Sequence, residues 1–130
     1  ALNDAVIECW RLKYKFNLIR PITYIHRYIS EDFTTSIATP PFPEFPSGHS
    51  FQAGAGTEVL KFFFSDSIEI TDKTHMIRVD IDGSPRTYKS FTEMSEEMSV
   101  SRYFGGIHYM STLDVSLEYG RRIGKNSILF

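Results

Sequence analysis

Three stretches of this chain carry residue types that hold a tetrahedral or trigonal-bipyramidal oxyanion: Lys13 and Arg20, then Pro46-Ser47-Gly48-His49, then Ser101-Arg102 followed by His108. Lys13, Arg20 and Arg102 supply three fixed cations, Ser47 a hydroxyl, Gly48 an unobstructed amide, and His49 and His108 two imidazoles that can move protons. A fold needs no such concentration of charge and directional donors for its own stability. The set suits phosphate or its look-alike, vanadate.

Helices have to bring these stretches together. Leu2, Val6, Cys9, Trp10, Tyr14 and Leu18 recur at close to helical spacing, which predicts a helix from Leu2 to about Ile19. Lys13 and Arg20 lie seven residues apart, about two turns at 3.6 residues per turn, so both leave one face with Asn17 between them. Pro21 biases Arg20 away from helical geometry and puts this cation near a helix C-terminus, where the dipole favours positive charge. Alone, the pair reads more simply as two solvated residues on a surface helix. From Ile22 to Phe45 the periodicity breaks, and Pro40, Pro41, Pro43 and Pro46 deny a regular helix or central strand, so a structured loop is expected.

Ser47 stands where an N-cap is preferred, opening a helix from Gly48 to about Phe64 with Phe51, Ala55, Val59 and Phe62 or Phe63 on its apolar stripe. The unpaired first amides of such a helix suit an anion, although a capping sequence is all that this block needs to be by itself. Ala53-Gly54-Ala55-Gly56 predicts a second helix packed tightly against it. Further on, Ile77 to Tyr88 alternates about Asp82-Gly83 and predicts a short β-hairpin; Asp80-Ile81-Asp82-Gly83 lacks the later ligands of a calcium loop and reads as a turn. His26 and His75 read as surface histidines. Ser90-Phe91-Thr92-Glu93 is a capping box that opens a helix with Phe91, Met94 and Met98 on one side and Arg102 further along. Gly105-Gly106 ends it, and a last helix is expected from about Ile107, with His108 in its first turn and Met110, Leu113, Leu117 and Ile123 inward.

The ordered blocks Lys13-x6-Arg20-Pro21, Pro46-Ser47-Gly48-His49 and Ser101-Arg102-x5-His108 resemble the vanadium-dependent haloperoxidase and type 2 phosphatidic acid phosphatase (PAP2) superfamily, with matches from about Trp10 to Gly124. Pro40-Pro41-Phe42-Pro43 and Gly105-Gly106-Ile107-His108-Tyr109 look most like its bacterial haloperoxidase branch. The resemblance implies an all-α helical bundle with a small β-hairpin insertion, residues 1–130 forming one domain that is the C-terminal catalytic half of a larger helical protein. It implies that His108 is the vanadate ligand, or a nucleophile that becomes phosphorylated, and that His49 handles protons across the anion. Lys13, Arg20 and Arg102 would neutralise the anion's oxygens while Ser47 and Gly48 donate to them. Trp10 and Phe42 would wall a halide pocket, with ordinary core aromatics as the equal alternative. The pattern departs at Thr112, where the family usually carries an aspartate four residues after the second histidine. Its loss removes the carboxylate expected to orient His108; Asp114 points far round the helix, which leaves Thr112 or a backbone carbonyl to hold the ring.

Three readings follow: a haloperoxidase oxidising halide with hydrogen peroxide at vanadate; a soluble acid phosphatase on the same scaffold, binding phosphate; and a non-catalytic oxyanion-binding fragment. A net charge of −2, from 14 Lys+Arg and 16 Asp+Glu, creates no basic field for nucleic acid. The chain has no run of about 18 apolar residues, which argues against the integral-membrane lipid phosphatases of the superfamily. The single Cys9 leaves the compartment open, and the resemblance implies a periplasmic or secreted location. The chain begins at Ala1 inside an amphipathic pattern, so its apolar faces are expected to meet a preceding helical part or a second chain.

Overall fold

Asn17 ends the first helix earlier than the apolar spacing predicts. The computed structural model of the chain describes residues 1–129. Helix α1 covers Leu2–Phe16, and Asn17 takes the left-handed conformation (φ 46°, ψ 45°) while its amide donates to the Lys13 carbonyl at 2.8 Å. Asparagine tolerates that conformation better than most residues, so it closes the helix. Arg20 is therefore not on α1. It is the extended N-cap (φ −73°, ψ 153°) of a second helix, α2, Pro21–Tyr28, with proline at its first position. Two expectations are corrected together: Arg20 precedes a helix start rather than following a helix end, and the segment from Ile22 is helical for its first turns because a leading proline starts a helix as readily as it breaks one.

Ser47 caps helix α3, Gly48–Phe64, accepting from the Ser50 amide. Phe51, Ala53, Gly54, Ala55, Thr57 and Glu58 are buried, whereas Phe62, Phe63 and Phe64 are exposed, so the apolar stripe stops before the last turn. Strand β1, Ile70–Asp72, pairs antiparallel with β2, Arg86–Tyr88, in the register Ile70↔Tyr88, Thr71↔Thr87 and Asp72↔Arg86. The expected hairpin thus has a different first strand. The alternating stretch at Ile77 to Ile81 faces no core, with Val79 100% exposed, and the Asp80 and Asp82 carboxylates bind locally to Arg78 and to the Ser84 amide. Local side-chain bonding of this kind competes with strand pairing.

Helix α4, Phe91–Phe104, starts with the capping box: the Glu93 amide donates to Ser90 Oγ at 3.0 Å, and Glu93 Oε2 accepts from the Lys89 amide at 2.5 Å. Its inward face is Phe91, Ser95 and Ser99, while Met98 is exposed. Gly106 turns the chain with φ +76°, and α5, Met110–Ile128, follows with Tyr109 as N-cap. His108 consequently sits just before α5 rather than in its first turn. Met110 is exposed, and Leu113 and Leu117 point inward as expected.

Glycines set the packing of α3 on α5. A Cβ built on Gly54 would lie 2.4 Å from the Leu117 carbonyl oxygen, and one on Gly120 would lie 2.2 Å from the Phe51 carbonyl oxygen. Both helices therefore approach backbone to backbone, as the Ala53-Gly54-Ala55-Gly56 run predicts. Beside that contact Ala5, Cys9 and Leu12 of α1 pack on Phe51 and Ala55. The fold class is as expected: helices with a minimal two-stranded insertion. Among the described residues no helix is long and apolar enough to cross a membrane.

Candidate functional site

Lys13, Arg20, Gly48, His49, Arg102 and His108 line one cavity of about 160 Å³, together with Trp10 and Phe42. Residues 95 positions apart in sequence are thus gathered by three packed segments: the end of α1 and the start of α2, the start of α3, and the α4–α5 junction. Of the nine residues singled out from sequence, only Ser47 is not in the wall. It is fully buried behind Gly48, accepting from the Ser50 amide at 3.3 Å and the Ser50 hydroxyl at 3.0 Å, while its own amide donates to Ser116 Oγ at 2.9 Å. Ser50 Oγ meets Ser99 Oγ at 2.7 Å, so a buried serine cluster ties α3 to α4 and α5 behind the cavity. Ser101, the remaining polar member of the third block, is exposed and bonds back to Met98.

Lys13 is 2% exposed, and its ammonium donates to the carbonyls of Pro43 at 2.8 Å, Glu44 at 3.2 Å and Pro46 at 2.6 Å. All three N–H directions are thereby committed. Lys13 pins the proline-rich loop to α1 and offers the cavity its charge rather than a free donor. Burial, with Arg20 nearby, lowers its pKa to about 8, although Cys9 and Glu44 act the other way. The sign is simple: below about pH 8 the ammonium is charged and attracts an anion, and above it that attraction fades. Affinity for sulfate, a tetrahedral oxyanion whose own charge is constant over this range, is expected to fall as pH rises from 7 to 9 when measured by equilibrium dialysis; an affinity flat over that range would remove Lys13 from the site.

Arg20 donates from Nε to the Phe42 carbonyl at 3.0 Å and from Nη1 to the Ile107 carbonyl at 2.8 Å, and Nη1 also lies 3.2 Å from His108 Nε2. Its Nη2, and Nε of Arg102, are buried without a hydrogen-bond partner among the described residues. Buried donors are seldom left so, because the lost hydration costs about 1–3 kcal/mol and more when the group is charged. Desolvation depresses both guanidinium pKa values, yet arginine keeps its proton. Two unpaired cationic donors at one cavity are the signature of an anion site.

A buried carboxylate from another part of the chain meets the His108 ring. Glu44 is 0% exposed, and its Oε1 lies 2.7 Å from His108 Nδ1 and accepts from the Tyr109 amide at 3.1 Å, while Oε2 accepts from the Thr112 hydroxyl at 2.9 Å. Thr112 therefore holds the carboxylate and not the ring. Asp114 is exposed on α5 and takes no part. A guanidinium can only donate, so the Arg20 contact assigns His108 Nε2 as unprotonated and Nδ1 as the N–H facing Glu44. Burial lowers the His108 pKa against the opposing pull of Glu44, which favours this neutral ring. Sequence reasoning passed over Glu44. The available signal was a lone acid embedded among prolines and aromatics, Pro43-Glu44-Phe45-Pro46, immediately before the Ser-Gly-His block.

His49 lies in the cavity wall with its side chain accessible to solvent, and partial desolvation together with Arg102 and His108 lowers its pKa, leaving a neutral imidazole that can accept a proton. A Cβ on Gly48 would meet nothing nearer than Cys9 Sγ at 3.9 Å, so the space beside its Cα is open, and the residue lines the cavity. Phe42 packs edge-on against Trp10 with ring centroids 4.8 Å apart, and its ring lies 5.1 Å from both Lys13 Nζ and the Arg20 guanidinium carbon. Both aromatics line the cavity, Phe42 beside the two cations and Trp10 stacked on Tyr14 and packed against Phe42.

A family model, the VCPO second helical-bundle domain, matches residues 29–130. The chain belongs to the vanadium haloperoxidase family. Among solved structures this family member superposes on a bacterial vanadium-dependent iodoperoxidase with a TM-score of 0.92 and 39% identity, over 98% of this chain and 30% of that one. A bacterial vanadium-dependent chloroperoxidase shares the fold with a TM-score of 0.75 at 20% identity, over 93% of this chain and 32% of that chain. The vanadium-dependent bromoperoxidase of Corallina pilulifera is 27% identical over 92 residues, which is 65% of this chain and 15% of that protein. The chain thus spans less than a third of the length of the relatives it matches.

Proposed function

We propose that this chain supplies the vanadate site of a haloperoxidase that oxidises halide with hydrogen peroxide. The observation that carries the reading is the pair of buried, unpaired N–H groups on Arg20 and Arg102, at a cavity that also presents the unprotonated nitrogen of a carboxylate-held histidine. The 39% identity with an iodoperoxidase supports the choice of reaction and makes iodide the first halide to try.

Vanadate fits the donor set. His108 Nε2 would hold it, Arg20 and Arg102 would donate to its oxygens, and the Gly48 amide at the positive end of α3 would add a further donor. Bound there, vanadate would activate peroxide toward attack by halide. Lys13 keeps the cavity positive, which draws in halide. The Trp10 and Phe42 faces offer a soft anion a poorly hydrated wall. Oxidation of halide by peroxide to hypohalous acid and water consumes one proton, and His49 is the neutral base placed to carry it.

Iodide and bromide oxidation, with peroxide and with or without added vanadate, tests the reading. His49→Ala is expected to retain vanadate binding while turnover falls by about 10²- to 10⁴-fold. Activity that ignores vanadate, or hydrolysis of phosphate monoesters inhibited by it, would move the chain to the phosphatase reading, which uses the same cations.

A further inference from the structure

Glu44 ties together three groups that the sequence leaves separate. Its carboxylate accepts from the Tyr109 amide, the Thr112 hydroxyl and the His108 ring, all within the segment that opens α5. The amides at that end of a helix are unpaired and carry partial positive charge, and α5 has no side-chain cap of its own. Three donors and no competing acceptor surround the carboxylate, the setting of an anion. On the backbone of the same residue, the carbonyl accepts from Lys13. Glu44 is thus fixed at both ends, to α1 through its main chain and to α5 through its side chain.

We propose that Glu44 is the positioning residue for His108, performing from the proline-rich loop, with Thr112 as its clamp, the task that a carboxylate at position 112 would perform from α5. It touches the imidazole and not the reactants. By accepting the Nδ1 proton it leaves Nε2 free on the side that meets Arg20, and its negative charge strengthens that nitrogen as a ligand. Thr112 and Glu44 form one unit, because a hydroxyl at 112 is short enough to leave room for the incoming carboxylate and donates to it. An aspartate at 112 would occupy the third position of α5, where it could reach the amide at the helix start, and would repel Glu44. The two arrangements exclude each other, which gives the proposal a reciprocal test.

The inference rests on the vanadate-site reading for its purpose but not for its measurement. In 15N NMR of the protein without vanadate, His108 is expected as a single Nδ1–H tautomer. Glu44→Ala is expected to give a mixture of both tautomers, and orthovanadate affinity by equilibrium dialysis is expected to fall by about 10- to 100-fold. Glu44→Gln keeps an acceptor for the ring and the Tyr109 amide but removes the charge; it is expected to fold, retain the tautomer and still lose about tenfold in affinity. Thr112→Asp alone is expected to weaken binding, and Thr112→Asp combined with Glu44→Ala to restore tautomer and affinity together. Should Glu44→Ala fail to fold, the glutamine variant and the double variant decide. Unchanged tautomer and affinity in folded Glu44 variants would reduce the residue to a helix cap and overturn the proposal. If the unaltered protein fails to bind vanadate while Glu44→Ala still scrambles the tautomer, the vanadate reading falls and the positioning role stands.

Discussion

Replacing His108 with alanine is expected to abolish vanadate-dependent halide oxidation, lowering it on the order of 10³-fold or more. The substitution removes the only unprotonated nitrogen that the structure fixes between the carboxylate of Glu44 and the guanidinium of Arg20. Arg20 Nη1 keeps the Ile107 carbonyl, so the cation stays in place; what disappears is the ligand. Vanadate affinity should therefore fall with activity, in contrast to His49→Ala, where binding survives and turnover does not. Glu44 also loses one of its three donors, so a decrease in thermal midpoint is expected, and circular dichroism must show that the variant is folded. Equal residual activity and equal vanadate affinity in the two histidine variants would contradict the division of labour between them.

Gly120→Ala is expected to cost about 3 kcal/mol or more, which for a domain of this size is a fall of roughly 10 °C in midpoint or outright unfolding. The added Cβ would lie 2.2 Å from the Phe51 carbonyl oxygen, and no rotamer change relieves a clash between backbones. The helices must part. Gly54 and Gly124 make the same demand along the same seam, with the Leu117 carbonyl oxygen at 2.4 Å and the Ala55 carbonyl oxygen at 2.6 Å. Gly56→Ala is the contrasting control: its Cβ would meet only the Leu2 side-chain tip at 3.2 Å, which can swing aside, and alanine favours the helix. Differential scanning calorimetry of the two variants decides the matter, and equal midpoints would show that the α3–α5 seam is not the tight contact described. The seam also carries the site, since Gly48 and His49 start one of its helices and His108 precedes the other.

How much of this was legible in the sequence varies with the range of the interaction involved. The caps at Ser47 and Ser90, the small-residue run at Ala53-Gly54-Ala55-Gly56 and the turn at Gly105-Gly106 are local signals, and each appears in the structure where the residues predict it. Apolar spacing continues through Leu18 and so predicts too long a first helix, while the conformation at Asn17 that ends the helix leaves no trace in periodicity. The hairpin differs from its sequence pattern for a related reason. Ile77 to Tyr88 alternates well, yet strand pairing depends on a facing partner, and the partner of Arg86–Tyr88 is Ile70–Asp72.

For the site, residue identity alone sets the chemistry: which cations, imidazoles and helix-start amide are present, and that they suit an oxyanion. Residue type fixes charge, donor count and lone pairs, and these do not depend on the path of the chain. Folding sets how those groups are used. It put Arg20 on a new helix, turned Lys13 onto three loop carbonyls, withdrew Ser47 behind the cavity wall, and brought Glu44 across 64 positions to His108. Such pairings are set by close packing of elements distant in sequence, and the contact of Thr112 with Glu44 exists only because the loop carrying Glu44 folds against the start of α5.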